Sequence, residues 1–193
     1  MRISVAQTVL AVVGFLVGLI ALYAALNEAD AVRKQQQASV WPYIDFSISN
    51  SNLQNDQFTE VAISNKGIGP ARIKTVNVLL DGAPTANWWD LVGKTAGLGE
   101  GDIALSNTDA AGRVMASGES LMLVRVDRNA IPDDEAGALE VRDRFRQALG
   151  QDRISMTVCY CSVFDDCWTV DMAVVGEASA VRACGQSAEG VSF

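Results

Sequence analysis

From Val5 to Leu26 the chain is apolar almost without interruption, and Gln7 and Thr8 are its only strongly polar residues. Twenty-two residues at a helical rise of ~1.5 Å cover the ~30 Å hydrocarbon core of a bilayer, so the pattern predicts a membrane-spanning helix. The following stretch, Asn27 to Ser39, has no Gly or Pro and is made largely of helix formers. The helix is therefore expected to continue to about Ser39 as a polar stalk and to be stopped by Pro42.

Beyond Pro42 the period changes to two. Tyr43 to Ser49 alternates, with Ile44, Phe46 and Ile48 on one face and Asp45 and Ser47 on the other, the mark of a half-buried strand. A second strand is predicted from Phe58 to Asn65, with Val61 and Ile63 inward. A third runs from Ala71 to Leu80, after the tight turn Lys66-Gly67-Ile68-Gly69-Pro70. Within the third strand the apolar set changes parity between Ile73 and Val76, which predicts a bulge near Lys74 and Thr75.

Asn87 to Leu91 suits a short helix, and 97–118, rich in Gly, Asn, Asp and Ser, reads as an insertion loop. Leu121 to Asp127 is the next strand. Pro132-Asp133-Asp134-Glu135 opens a helix with Ala138, Val141, Phe145 and Ala148 on one face, and Ile154–Val163 with Cys167–Val175 forms a hairpin. Several short strands, one returning helix and no βαβ alternation point to a mainly β domain. The expected architecture is an immunoglobulin-like antiparallel β-sandwich carried behind a transmembrane helix. The expected organisation is an anchor at 1–26, a stalk at 27–40, the β domain at 41–184 and a tail at 185–193.

A cleaved signal peptide is the main competitor for the anchor, because Ala21, Tyr23, Ala24 and Ala25 place small residues near a plausible cut. The apolar run is longer than a signal peptide needs, so retention is the expectation. Positive charge does not orient the span: Arg2 stands on one side, and Arg33 and Lys34, offset by Glu28 and Asp30, on the other. Small residues recur along it at Ser4, Ala11, Gly18 and Ala25, with Gly14 and Ala21 on the adjacent row. Close approach over small side chains is a main source of helix association in lipid, so Ala11, Gly14, Gly18, Ala21 and Ala25 form a candidate helix-docking face. Both self-association and a different helix are compatible with it.

Charge narrows the partners. Residues 27–193 carry fourteen bases against twenty-three acids, which argues against nucleic acid and against a domain lying flat on anionic lipid. The chain has no His, which removes triads with a His base, His-ligated metals and the usual proton shuttle. No cofactor site is legible, and a small ligand has no motif to support it.

The run Asn65-Lys66-Gly67-Ile68-Gly69-Pro70-Ala71, then Ser117-Gly118-Glu119-Ser120 before a strand, then CYCSVFDDCW, resembles a loose group of uncharacterised bacterial membrane-anchored β-sandwich proteins. The resemblance covers most of residues 40–184. It implies a fold and a topology, and no activity.

Four Cys behind an anchor suggest bridges in an oxidising compartment. That places the N-terminus in the cytoplasm and the β domain in the periplasm of a bacterial inner membrane, with a reduced cytoplasmic domain as the alternative. In the predicted hairpin Cys161 falls opposite Cys167, Tyr160 opposite Trp168, Val158 opposite Val170 and Met156 opposite Met172. Directly opposed Cys161 and Cys167 are suited to bridging, which leaves Cys159 for Cys184. A four-thiolate metal site and a redox-active CxC are the competing readings. CxC lacks knuckle spacing, and Asp165 and Asp166 oppose thiolate formation.

Trp88 and Trp89 are a candidate partner or ligand surface, or else cap the core. Asp133, Asp134 and Glu135, and Asp165 with Asp166, are carboxylate clusters suited to acid/base work or calcium, though turns and helix capping explain them more simply. Arg142, Arg144, Arg146 and Arg153 read as a solvated basic face. The expected function is non-catalytic: an accessory or assembly subunit of a larger membrane complex. A periplasmic ligand-binding or sensor module is the rival.

Overall fold

The computed structural model describes residues 5–53, 56–174, 176–185 and 193. The chain divides into two units, 1–39 and 40–193. The first is a single helix, α1 (Val5–Ser39), and no side chain from Gln7 to Leu26 is buried in it. Among the described residues α1 is the one helix long and apolar enough to cross a membrane.

The second unit is built from β1 (Ile44–Leu53), β2 (Asp56–Asn65), β3 (Ala71–Leu80), β4 (Ala83–Pro84), α2 (Trp88–Ala96), β5 (Ser106–Asn107), β6 (Val114–Met115), β7 (Ser120–Asp127), α3 (Glu135–Gly150), β8 (Ile154–Cys161), β9 (Cys167–Asp171) and β10 (Ala178–Val181). All described pairings are antiparallel. One sheet has the order β1-β2-β7-β5; the other runs β10-β9-β8-β3-β4, with β6 also on β3.

Inward positions of both sheets meet in one core: Val61, Ile63, Val124 and Val126 from the first, Ile73, Val76, Val78, Met156, Val158 and Tyr160 from the second. Helix α3 adds Ala138, Val141, Phe145 and Ala148, all buried, so its apolar stripe is what seats it. Asp134 caps this helix, its carboxylate accepting from the Gly137 N–H at 3.0 Å. The β3–β8 register shifts between Ile73 and Thr75, the position at which parity changes in the sequence.

Four expectations need correction. Strand β9 ends at Asp171, because its carboxylate accepts from the Ala173 N–H and turns the chain; Val175, the expected end, lies outside the described residues. A further strand, β10, pairs with β9 where none was foreseen. The 97–118 insertion is no plain loop. Thr108 N–H donates to the Leu123 carbonyl, and Ile73 and Gly112–Arg113 exchange backbone bonds, so short pairings hold it to both sheets. Finally, Ile48 points to the inner face of β1 yet is 44% exposed, because a cleft opens between it and α3.

The sheets are joined at the fully buried Asn65. Its side-chain oxygen accepts from the Tyr43 N–H (3.2 Å) and the Gly67 N–H (3.1 Å); its amide nitrogen donates to the carbonyls of Gly69 (2.8 Å), Met115 (3.2 Å) and Ala116 (3.1 Å). The turn it organises lies hard against the entering chain. A Cβ on Gly67 would collide with the Trp41 carbonyl, and one on Gly69 with that of Val40. Asn65→Ala is expected to strand several buried backbone groups at about 1–3 kcal/mol each. A net loss of at least about 3 kcal/mol lowers the melting temperature by about 10 °C for a domain of this size, measurable by circular dichroism.

Burial also raises the Tyr160 phenol to a pKa of about 12, above its ordinary value near 10. Between those values the unfolded chain gives up the proton and the folded one keeps it, so stability is complete below about pH 10 and falls as pH rises towards about 12. Alkaline titration should show the Tyr160 phenolate absorbance appearing last, together with loss of near-ultraviolet dichroism.

Candidate functional site

Alternation along β8 sends Met156, Val158 and Tyr160 into the core and Cys159 and Cys161 to the opposite face. The β8–β9 register sets Cys161 against Cys167 and Tyr160 against Trp168, whose rings stack at 5.9 Å. Cys161 is bonded to Cys167, with Cα atoms 4.0 Å apart, and Cys159 to Cys184, at 5.7 Å. The second bridge draws the segment after β10 across the sheet. That cover leaves Cys159, Cys161 and Cys167 buried on the face away from the core.

The two bridges touch: Cys161 Sγ lies 3.8 Å from Cys184 Sγ. Beside them is a cleft of about 490 Å³ edged by Lys74, Thr75, Asp165, Arg182 and Gly185. The sulfurs of Cys161, Cys167 and Cys184 lie within 4.8 Å of one another, close enough for a shared ion. Every one is in a disulfide, however, so a thiolate ligand set requires both bridges to be reduced. Asp165 pairs with Arg72 at 2.8 Å.

The other residues singled out in the sequence are dispersed. Trp88 has no exposed surface: it sits in the core, edge-on to Phe193 with ring centroids 4.8 Å apart, and Trp89 packs partly buried against the same cluster. Trp88 is thus a core residue and not a surface for a partner or ligand. The reason is that α2 runs to Ala96, and its amphipathic turns face Trp88, Leu91 and Val92 inward.

Nor is the arginine run a solvated face throughout. Arg142 is buried and paired with Asp143 at 2.7 Å, and it also donates to the Ser51 carbonyl at 3.4 Å. Arg144 pairs with Glu140, Arg146 with Asp143 and Arg153 with Asp81. Asp134 caps α3, and Glu135 pairs with Arg128.

On α1, Ala11, Gly14, Gly18, Ala21 and Ala25 are all exposed, and a Cβ built on Gly14 or Gly18 would meet nothing within 4 Å. Ser4, the first residue of that row, lies outside the described residues, as do 186–192 of the expected tail.

Two features were not anticipated from the sequence. Phe193 is buried, its carbonyl accepting from the Ala111 N–H at 2.9 Å; a lone aromatic after a Gly- and Ser-rich stretch was its only signal. A cleft of about 940 Å³ lies between Ile48 and Asn50 of β1 and Leu139, Arg146 and Leu149 of α3. It joins residues some ninety positions apart, which no local pattern reveals.

The bridges enclose unequal separations, 25 and 6 residues. By chain entropy alone, losing Cys159–Cys184 costs about 3.5 kcal/mol and losing Cys161–Cys167 about 2 kcal/mol. Cys184→Ser is therefore expected to lower the melting temperature more than Cys167→Ser, each compared with wild type by calorimetry. Alkylation without reductant should label no thiol in the wild-type chain.

No curated protein matches this sequence. A family described as a domain of unknown function (DUF8453) matches residues 3–173. That match takes in α1, the first sheet and all of the second except β10, including the β8–β9 hairpin, and the chain belongs to this family.

Proposed function

We propose that this protein is a non-catalytic accessory or assembly subunit of a larger membrane complex. In this reading α1 crosses the bacterial inner membrane once, with its N-terminus in the cytoplasm. The β domain, taken as an immunoglobulin-like sandwich, lies in the periplasm. Docking uses the small-residue face of the span and the surface of the β domain.

The observation that carries the proposal is the row of small residues at Gly14 and Gly18 on a long apolar helix whose side chains the rest of the described chain leaves uncovered. Where lipid offers no hydrophobic drive for helix pairing, small side chains favour close approach by another helix. The dispersal of chemically capable side chains supports it. Asp134, Glu135, Glu140 and Asp165 cap a helix or pair with Arg, and there is no His to convert any of them into a conventional acid–base pair. The sensor alternative draws on Trp88 and Trp89 together, and it is the weaker reading because Trp88 is buried in the core and Trp89 packs partly buried against it.

Purification of the full chain from native membranes in mild detergent should yield defined stoichiometric partners by mass spectrometry. Gly18→Leu, which interrupts that row, should reduce their recovery without altering the melting of the β domain. A chain that purifies alone in both forms rules the proposal out.

A further inference from the structure

Sheet edges are hazards because their free N–H and C=O groups template pairing with another chain, and native proteins keep them short, charged or bulged. Four margins among the described residues follow that rule. β5 and β4 are two residues long, and β10 is four. The stretch of β3 between its short partners β4 and β6 carries a bulge and the exposed Lys74.

β1 does not. It ends its sheet with ten residues, Ile44–Leu53, that contain no Pro, no Lys, no Arg and no shift of register against β2. Its one charge, Asp45, is held by Lys66.

The direction of its free groups follows from the pairing. Tyr43 accepts from the Lys66 N–H at 2.7 Å, so Tyr43 faces β2. By the period of two, Asp45, Ser47, Ser49 and Ser51 face β2 as well, and Phe46, Ile48, Asn50 and Asn52 turn their backbone groups outward. Among the described residues no other backbone bond reaches those four. The same edge borders the 940 Å³ cleft, into which the half-exposed Ile48 opens.

We propose that β1 pairs antiparallel with β1 of a second copy of this chain, joining two four-stranded sheets into one. The register that sets Ile48 against its own symmetry mate carries the choice of occupant. It places Phe46 opposite Asn50 of the second copy, an outward-facing residue meeting an outward-facing one, and Ser47 opposite Ser49 in the intervening pair whose backbone groups already face β2. Asp45 meets Ser51, so no like charges oppose each other on an otherwise acidic domain. Ile48 meets Ile48 beside Leu139 of the cleft. The rim of that cleft carries both signs, Glu140 and Asp143 with Arg144 and Arg146, as a two-fold interface requires. The inference stands on the β domain's own geometry and does not depend on membrane insertion or on the span's partner.

The test uses the full chain in mild detergent, carrying Gly18→Leu so that association through the span is removed. The expected results are a concentration-dependent dimer and slow amide exchange at Phe46, Ile48 and Asn50 that becomes fast on dilution. Asn50→Pro, which deletes an outward N–H, and Ile48→Lys, which puts charge on the edge, should each weaken dimerisation at least about tenfold, equivalent to about 1.4 kcal/mol. Near-ultraviolet dichroism reports whether each variant is folded. Should the proline variant unfold, Ile48→Lys and the exchange pattern of the parent still decide. The proposal is overturned by a monomer at all concentrations, by a dimer indifferent to Ile48→Lys, or by protection of these amides that arises only when a different protein is added.

Discussion

A carboxamide buried among five backbone groups has little freedom, and Asn65 uses all of its hydrogen-bonding capacity, with one N–H shared between carbonyls. Two N–H groups converge on its oxygen and three carbonyls on its nitrogen, from three stretches of chain: the entry into β1, the turn before β3, and the end of β6 with the residue after it. These groups belong to different sheets, so their alignment sets how the sheets meet. The glycines at 67 and 69 serve the same joint, because only a residue without Cβ lets the turn lie against the Trp41 and Val40 carbonyls. The end of the domain at which the chain enters is therefore fixed by polar contacts, and the middle by apolar packing.

The outer face of β8 poses a different problem. Cys159 and Cys161 face away from the core, where alternation would normally leave residues wet. Instead the Cys159–Cys184 bridge holds the following segment over them, and β10 adds a strand to that side. Cross-linking and edge extension thus come from the same stretch of chain. The sheet that receives them gains cover and short margins, whereas the sheet that begins with β1 keeps a long free edge.

Several side chains that suggest chemistry in isolation turn out to be occupied. Asp134 caps α3, Glu135 and Asp165 pair with Arg, thiols are joined in bridges, and Trp88 fills the core against Phe193. What the molecule leaves open is backbone and small-residue surface: the outward groups of β1 and the Gly14–Gly18 row of α1. Both consist of backbone groups or small side chains, and neither gathers titratable side chains.

Local periodicity was enough to place α1 and its end at Ser39, the strands around Ile44, Val61, Ile73 and Val124, the parity change in β3 and the face of α3, because each is written in residues a few positions apart. The hairpin register was equally legible, since one turn length determines which side chains meet. Proximity of residues distant in sequence was not. Whether Trp88 would be surface or core depended on where α2 and Phe193 come to rest. Arg142 reads as one of four solvated arginines until α3 is seen carrying it against β1. The nature of Asn65 was likewise hidden inside a turn motif, because its five partners span residues 43 to 116. Ile48 marks the limit from the other side. Alternation correctly assigned its face, but only the tertiary structure left that face uncovered, since cover is supplied by elements whose approach no local pattern encodes.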